Sequence, residues 1–157
     1  MSQQTELPRL TLEEKWAMAE GNLIYFVASG IAYAKSKGQT AADFGAFAGT
    51  FGTPYWAKDK GKGPAALLQG IWENKQQFRD FEMEILSESP ASVEARMKGY
   101  GDDDVRRFFT DWGVTADDYC AFFAAKWEAI ADSLDMDYGQ RSEGVWTIFT
   151  VTQREAG

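Results

Sequence analysis

Along most of the chain apolar residues recur three or four positions apart, the spacing of one face of a helix; in two short regions the spacing drops to two. The helical pattern has clear starts. Thr11-Leu-Glu-Glu14, Thr40-Ala-Ala-Asp43 and Thr115-Ala-Asp-Asp118 each set a threonine three residues before a carboxylate. In that arrangement the hydroxyl accepts the third amide of the helix while the carboxylate reaches back to the amide of the cap. Gly63-Pro64 is a fourth start, because proline suits the first turn, and Asp102-Asp103-Asp104 a fifth, because acids favour the positive end of the helix dipole. The first helix is predicted over about 12–36, with Leu12, Trp16, Ala19, Leu23, Val27 and Ile31 as its core stripe. The second follows Thr40 and stops near Gly52–Pro54. The third carries Leu67, Leu68, Ile71, Trp72 and Phe78 on one side. A short helix over 105–112 precedes a last one from Thr115 to about Leu134, which buries Tyr119, Cys120, Phe123, Trp127, Ile130 and Leu134.

The two alternating regions read as hairpins. Phe81-Glu-Met83-Glu-Ile85 breaks at Ser87–Pro90 and resumes as Val93-Glu-Ala95-Arg-Met97-Lys98, which gives one apolar and one charged face. Met136–Arg141, a turn at Ser142-Glu-Gly144, and Val145–Val151 form the second. Its last strand is apolar on both faces, with Val145, Phe149 and Val151 on one and Trp146 and Ile148 on the other. Such a strand is central, or its second face meets a partner. The order of three helices, hairpin, two helices, hairpin predicts an α+β fold: about five helices packed on a four-stranded antiparallel sheet, a single domain over residues 1–157.

Composition narrows the function. The 16 basic and 24 acidic residues leave a formal charge of −8, which argues against nucleic acid and anionic membranes as partners. No apolar run approaches the roughly 18 residues of a membrane-spanning helix, and the N-terminal MSQQTELPRL lacks the features of a signal peptide, so a cytoplasmic location is expected. With one cysteine and no histidine there is no intramolecular disulfide, no cysteine-cluster zinc site and no histidine-based triad; no metal or cofactor is expected. The aromatic content of 15 % exceeds what a core alone calls for, and points to a lined ligand cavity.

Four local features are candidate chemistry. DFGAFAGTFGTPYW, residues 43–56, has glycines at 45, 49 and 52, but follows a helix cap and lacks the Lys-Ser/Thr of a phosphate loop. On a helix Phe44, Phe47 and Phe51 form one stripe and the glycines the next, so either a neighbouring helix or a ligand occupies the groove over the bare backbone. Tyr55 and Trp56 lead into Lys58, Lys60 and Lys62, a solvated connector or a mobile lid with cations for an anionic substrate. Glu20 lies at the edge of the apolar stripe of the first helix, where a carboxylate is a candidate acid or base unless an arginine neutralises it. Tyr25, with Asn22, Ser29 and Tyr33, forms a hydrogen-bonding set on the adjoining face. Cys120 reads as a buried structural thiol, and Asp132, Asp135 and Asp137 as a solvated turn rather than a metal site.

ADFGAFAG, IWENKQQF and YCAFFAAKWEAIADSLDMDY, in the middle and C-terminal two-thirds of the chain, resemble the L-2-amino-thiazoline-4-carboxylic acid hydrolase-like family. The resemblance implies a cytoplasmic α+β domain that handles a small molecule; it carries over no catalytic residue. The expected function is small-molecule handling in an aromatic-lined pocket, in one form a metal-free, cofactor-free acid/base hydrolase or lyase for an apolar or aromatic substrate. Glu20 and Tyr25 are then the catalytic candidates, and Phe47, Phe51, Trp56, Trp72, Tyr119, Phe123 and Trp127 the walls. The alternatives are a non-catalytic binding or sensory module that dimerises through its final strand or aromatic surface, and a structural partner subunit with no pocket.

Overall fold

Three threonines start three of the helices. Thr11, Thr40 and Thr115 cap α1 (Leu12–Ser36), α2 (Ala41–Trp56) and α5 (Ala116–Ser133), each with both halves of the reciprocal cap formed. Between them lie α3 (Pro64–Lys75), which opens on its proline, and α4 (Asp102–Phe108), with three aspartates in its first turn. The computed structural model describes residues 9–155; the stretch read above for the lack of a signal peptide falls mostly on 1–8, outside the described residues.

Two boundaries differ from expectation. The helix expected over 105–112 is divided: α4 ends at Phe108, and Thr110–Trp112 forms a separate 3₁₀ turn that stops at Gly113. The second helix does not stop at Gly52–Pro54 but carries Pro54 inside it and runs on to Trp56. Proline cannot donate to the carbonyl of Thr50, four residues back. The Thr53 hydroxyl donates to that carbonyl instead, at 3.0 Å, so the interruption leaves no orphan acceptor.

The stripe expected on α1 is also rotated. Glu20, Ile24, Ala28, Ile31 and Ala34 are its buried residues, whereas Leu12 and Trp16 are exposed and Leu23 and Val27 only flank the core. Trp16 uses its indole to donate to the Gln77 carbonyl at 2.6 Å, beyond the end of α3.

The strands β1 (Glu82–Glu88), β2 (Ser92–Lys98), β3 (Met136–Glu143) and β4 (Trp146–Gln153) form one antiparallel sheet in the order β1-β2-β4-β3, and the fold is α+β. The final strand is central, paired with β2 on one edge and β3 on the other. Val93, Ala95, Met97, Phe149 and Val151 are buried in the core with residues of α3 and α5. The opposite face is ionic: Glu82 pairs with Lys98 and Glu84 with Arg96, while Arg96 and Lys98 stand 4.4 and 4.7 Å over the Trp146 ring. Val145, expected in the last strand on the face of Phe149 and Val151, lies in the turn after Gly144 and is exposed. β1 is an edge strand whose register shifts between Ile85 and Ser87.

The groove over the α2 glycines holds a helix. A Cβ on Gly45 would overlap the Phe122 carbonyl oxygen, and one on Gly49 the Lys126 carbonyl oxygen and the Ala129 methyl, both on α5. Each mid-helix glycine costs about 1 kcal/mol against alanine, and close packing on α5 is what offsets it. Gly52 differs, since a Cβ there meets nothing nearer than Trp56 Nε1 at 4.0 Å. Gly45→Ala and Gly49→Ala are therefore expected to lower stability by about 1–3 kcal/mol through overpacking. Gly52→Ala should raise it by about 0.5–1 kcal/mol, and urea denaturation of the three variants checks the contrast.

Candidate functional site

α3 presents Leu67, Ile71 and Lys75 one turn apart on its inner face, with Phe78 just beyond its end. Lys75 thus occupies a core position, and its side chain is fully buried, with 0 % exposure. Its Nζ lies 3.1 Å from the centre of the Phe123 ring, 4.5 Å from that of Tyr100 and 5.5 Å from that of Phe78. Among the described residues no group forms a hydrogen bond with it. Buried amines normally have a partner, because an unsatisfied one costs about 1–3 kcal/mol. The three ring faces beside Nζ are weak acceptors at most.

Each wall of this box is held by the local sequence. Tyr100 stands between Gly99 and Gly101, both at positive φ, and a Cβ at position 99 would overlap the Asp80 carbonyl oxygen. That doubly left-handed turn directs Tyr100 inward, where its hydroxyl bonds to the Thr147 hydroxyl on β4. Phe123 projects from α5 edge-on to Tyr119 at 4.9 Å and to Tyr100 at 6.1 Å. The Tyr119 hydroxyl and Trp127 Nε1, on the same face of α5, are likewise buried without a hydrogen-bond partner among the described residues. Cys120 is the half-exposed member of the group and faces Tyr100.

Burial dominates the electrostatics. It pushes the Lys75 ammonium well below the ordinary lysine range; the nearby charge of Lys126 adds to that fall, and Cys120 and Asp102 oppose it weakly. Burial likewise pushes the Tyr100 and Tyr119 hydroxyls above the ordinary tyrosine range, and raises the Cys120 thiol with help from Asp102. Burial thus disfavours the charged form of the amine and of the neighbouring hydroxyl and thiol groups alike.

The residues singled out in the sequence are not gathered into one pocket. Tyr119, Phe123 and Trp127 are core residues of α5, and Trp56 packs edge-on to Trp127 at 5.6 Å. Phe47 and Phe51 instead stack on each other at the surface, 65 % and 79 % exposed, because α5 takes the adjacent glycine face. Trp72 flanks an apolar groove with Leu68, Met83 and Ile85. Glu20 is 8 % exposed and accepts a 2.6 Å hydrogen bond from Arg79 Nε, so an arginine neutralises it. Tyr25 is exposed and touches Phe26 and Phe109.

The lysine connector borders a polar cleft of about 520 Å³ whose lining includes Tyr55, Trp56, Lys58, Lys62, Gln69 and Asn74. Its cations already have neighbours: Lys58 stands over the Tyr55 ring, Lys60 pairs with Asp135, and Lys62 with Asp59. Asp132 and Asp137 both accept from Arg154 at 2.7 Å. Among the described residues no group of three or more acidic, cysteine or histidine side chains is placed to hold a metal ion, and no helix is long and apolar enough to cross a membrane. No protein-family model, curated protein or solved structure matches the chain.

Lys75 escaped notice in the sequence because Glu73, Asn74, Gln76 and Gln77 flank it, and because a lysine near a helix C-terminus ordinarily serves the dipole. The available signal was its place on the apolar stripe, four residues after Ile71 and three before Phe78.

A buried amine of this kind makes stability depend on pH. Its folded-state pKa lies below the unfolded value of about 10.4, so between the two the unfolded chain binds more protons and stability rises with pH. Lys126, also lowered by burial, contributes in the same direction. Lys75→Met should raise stability at neutral pH by about 1–3 kcal/mol. The gain should shrink steadily as pH approaches 10, which parallel urea melts of the two proteins across that range will measure.

Proposed function

We propose that this chain handles a small apolar or aromatic molecule at the Lys75 box, and that the uncharged amine serves there as the base or nucleophile of a hydrolase or lyase. The observation that carries the reading is the Lys75 Nζ, fully buried, enclosed by three ring faces and without a hydrogen-bond partner among the described residues. A purely structural residue at this position has no need of an amine: methionine fills the same space without the desolvation cost. Strongly perturbed ionisable groups concentrate where chemistry is done. Tyr119, Phe123 and Trp127, and Trp56 behind them, belong to this reading as its aromatic surroundings. The small-molecule role implied by the hydrolase-like family resemblance agrees with it and remains part of the proposal.

The test is ligand-induced thermal stabilisation of the wild type and of Lys75→Met with aromatic acids, amino acids and heterocycles. One class is expected to raise the wild-type melting point, by the equivalent of about 2.7 kcal/mol at a hundredfold excess over Kd, and to leave the variant unmoved. An equal shift in the variant overturns the assignment to Lys75. Failure of every class, with a melting point that depends on protein concentration, favours the interaction module instead.

A further inference from the structure

We infer that the exposed edge of β1 takes an extended peptide segment of a partner protein as a fifth strand. An aromatic or large aliphatic side chain of that segment fills the groove beside Trp72, and a basic one, two residues away, meets Glu88. β1 is hydrogen-bonded to β2 on one side only, and six of its seven residues are exposed. An edge of this kind presents unpaired backbone donors and acceptors to a chain that lies alongside. Between β1 and α3 runs an open groove of about 350 Å³ whose lining includes Leu68, Trp72, Met83, Ile85 and Glu88. Trp72 is backed by the Phe81 ring at 5.6 Å, yet it and Ile85 remain exposed. No residue of the Lys75 box lines this groove, so the two sites stand or fall separately.

The bulge in β1 puts the carboxylate there. Met83 pairs with Met97 and Ile85 with Ala95, both buried, so Met83 and Ile85 face the helices. Strict alternation would send Glu88 to the opposite face, with Glu82 and Glu84. The register shift between Ile85 and Ser87 instead sets Glu88 opposite buried Val93, at the end of the apolar groove. Among the described residues Glu88 forms no ion pair; Lys62, which shares a second cleft with it at the hairpin tip, is paired with Asp59 at 3.1 Å. Ile85 and Glu88 stand opposite Ala95 and Val93, two residues apart on β2, so a strand added on the other side meets them with side chains two residues apart as well.

A second copy of this chain fits the edge poorly. Take any antiparallel register that pairs 82–85 with itself and keeps the core faces of both sheets on one side. Glu82 or Glu84 then falls opposite or diagonal to a glutamate of the copy, and like charges so placed oppose pairing. Lys98 and Arg96 compensate these acids from the β2 side only. The bulge and the glutamates thus guard against self-pairing and leave the edge open to a basic segment.

The probe is a fluorescein-labelled peptide, Ser-Lys-Thr-Phe-Thr-Lys-Ser, with a lysine two residues to either side of its phenylalanine. It is titrated with the folded full-length protein by fluorescence anisotropy. Binding is expected, together with slower hydrogen–deuterium exchange of the amides in residues 82–88. Glu88→Lys, a change at an exposed position, should weaken binding by about fivefold, the worth of one exposed ion pair. The same variant should bind the analogue with both lysines replaced by glutamate more tightly than the wild type does. Equal binding of the two peptides by the wild type, or binding that leaves exchange over 82–88 unchanged, overturns the inference. Absence of binding also overturns it; if gel-filtration elution then depends on protein concentration and the 82–88 amides are protected, the occupant is a second copy.

Discussion

The close approach of α2 to α5 fixes where every aromatic side chain of α5 can point. At Gly45 and Gly49 the α2 backbone lies against the carbonyls of Phe122 and Lys126, so α5 is held along one side with no freedom to rotate. An adjoining side of α5 then carries Tyr119, Phe123 and Trp127 into the core. From the other direction α3 brings Leu67, Ile71 and Lys75 to the same interior. The amine meets the Phe123 ring because these two constraints converge, and the turn at Gly99-Tyr100-Gly101 adds the third surface.

This interior is unlike the other charged regions of the molecule. On the far face of the sheet, glutamates and basic residues are matched strand to strand, and Trp146 is covered by two cations. Pairs of that sort sit in water and each adds little to stability. Around Lys75 no such matching exists, and three polar atoms on α3 and α5 lie buried without partners among the described residues. The core could be apolar throughout at a gain in stability. A cost retained in one place, with hydroxyl and thiol groups clustered beside it, is the kind of local exception that functional sites make.

Much of the fold was legible because its signals are local. The three threonine caps, Pro64 and the acidic start of α4 are each short-range devices, and the alternation of β2 identifies its buried face without reference to any neighbour. What failed to read correctly depended on distant contacts. The buried side of α1 shifted because apolar residues occur around most of that helix, and only packing selects among them. Pro54 looked like a stop because the compensating hydroxyl of Thr53 is a detail of geometry. The aromatic residues divide between core and surface for the same reason: Tyr119 and Phe47 look alike in sequence, but α5 turns one inward, while the occupied glycine face turns the other outward. Lys75 was hidden by its polar neighbours, although its spacing from Ile71 and Phe78 placed it on the core stripe.

Glu20 and Lys75 show why the functional reading moves from one to the other. Both are buried ionisable groups facing the interior from a helix, and both fall on apolar stripes. Glu20 has a guanidinium at 2.6 Å, on a side chain that itself reaches solvent, so its charge is compensated and its burial is accounted for. Lys75 has no acceptor among the described residues, so burial lowers its pKa with no bonded partner to oppose it. A compensated carboxylate links α1 to the segment after α3; the buried amine has no such partner to account for its place. Burial alone does not separate the two. The presence or absence of a partner does, and that difference is why the proposed site falls between α3 and α5 rather than on α1.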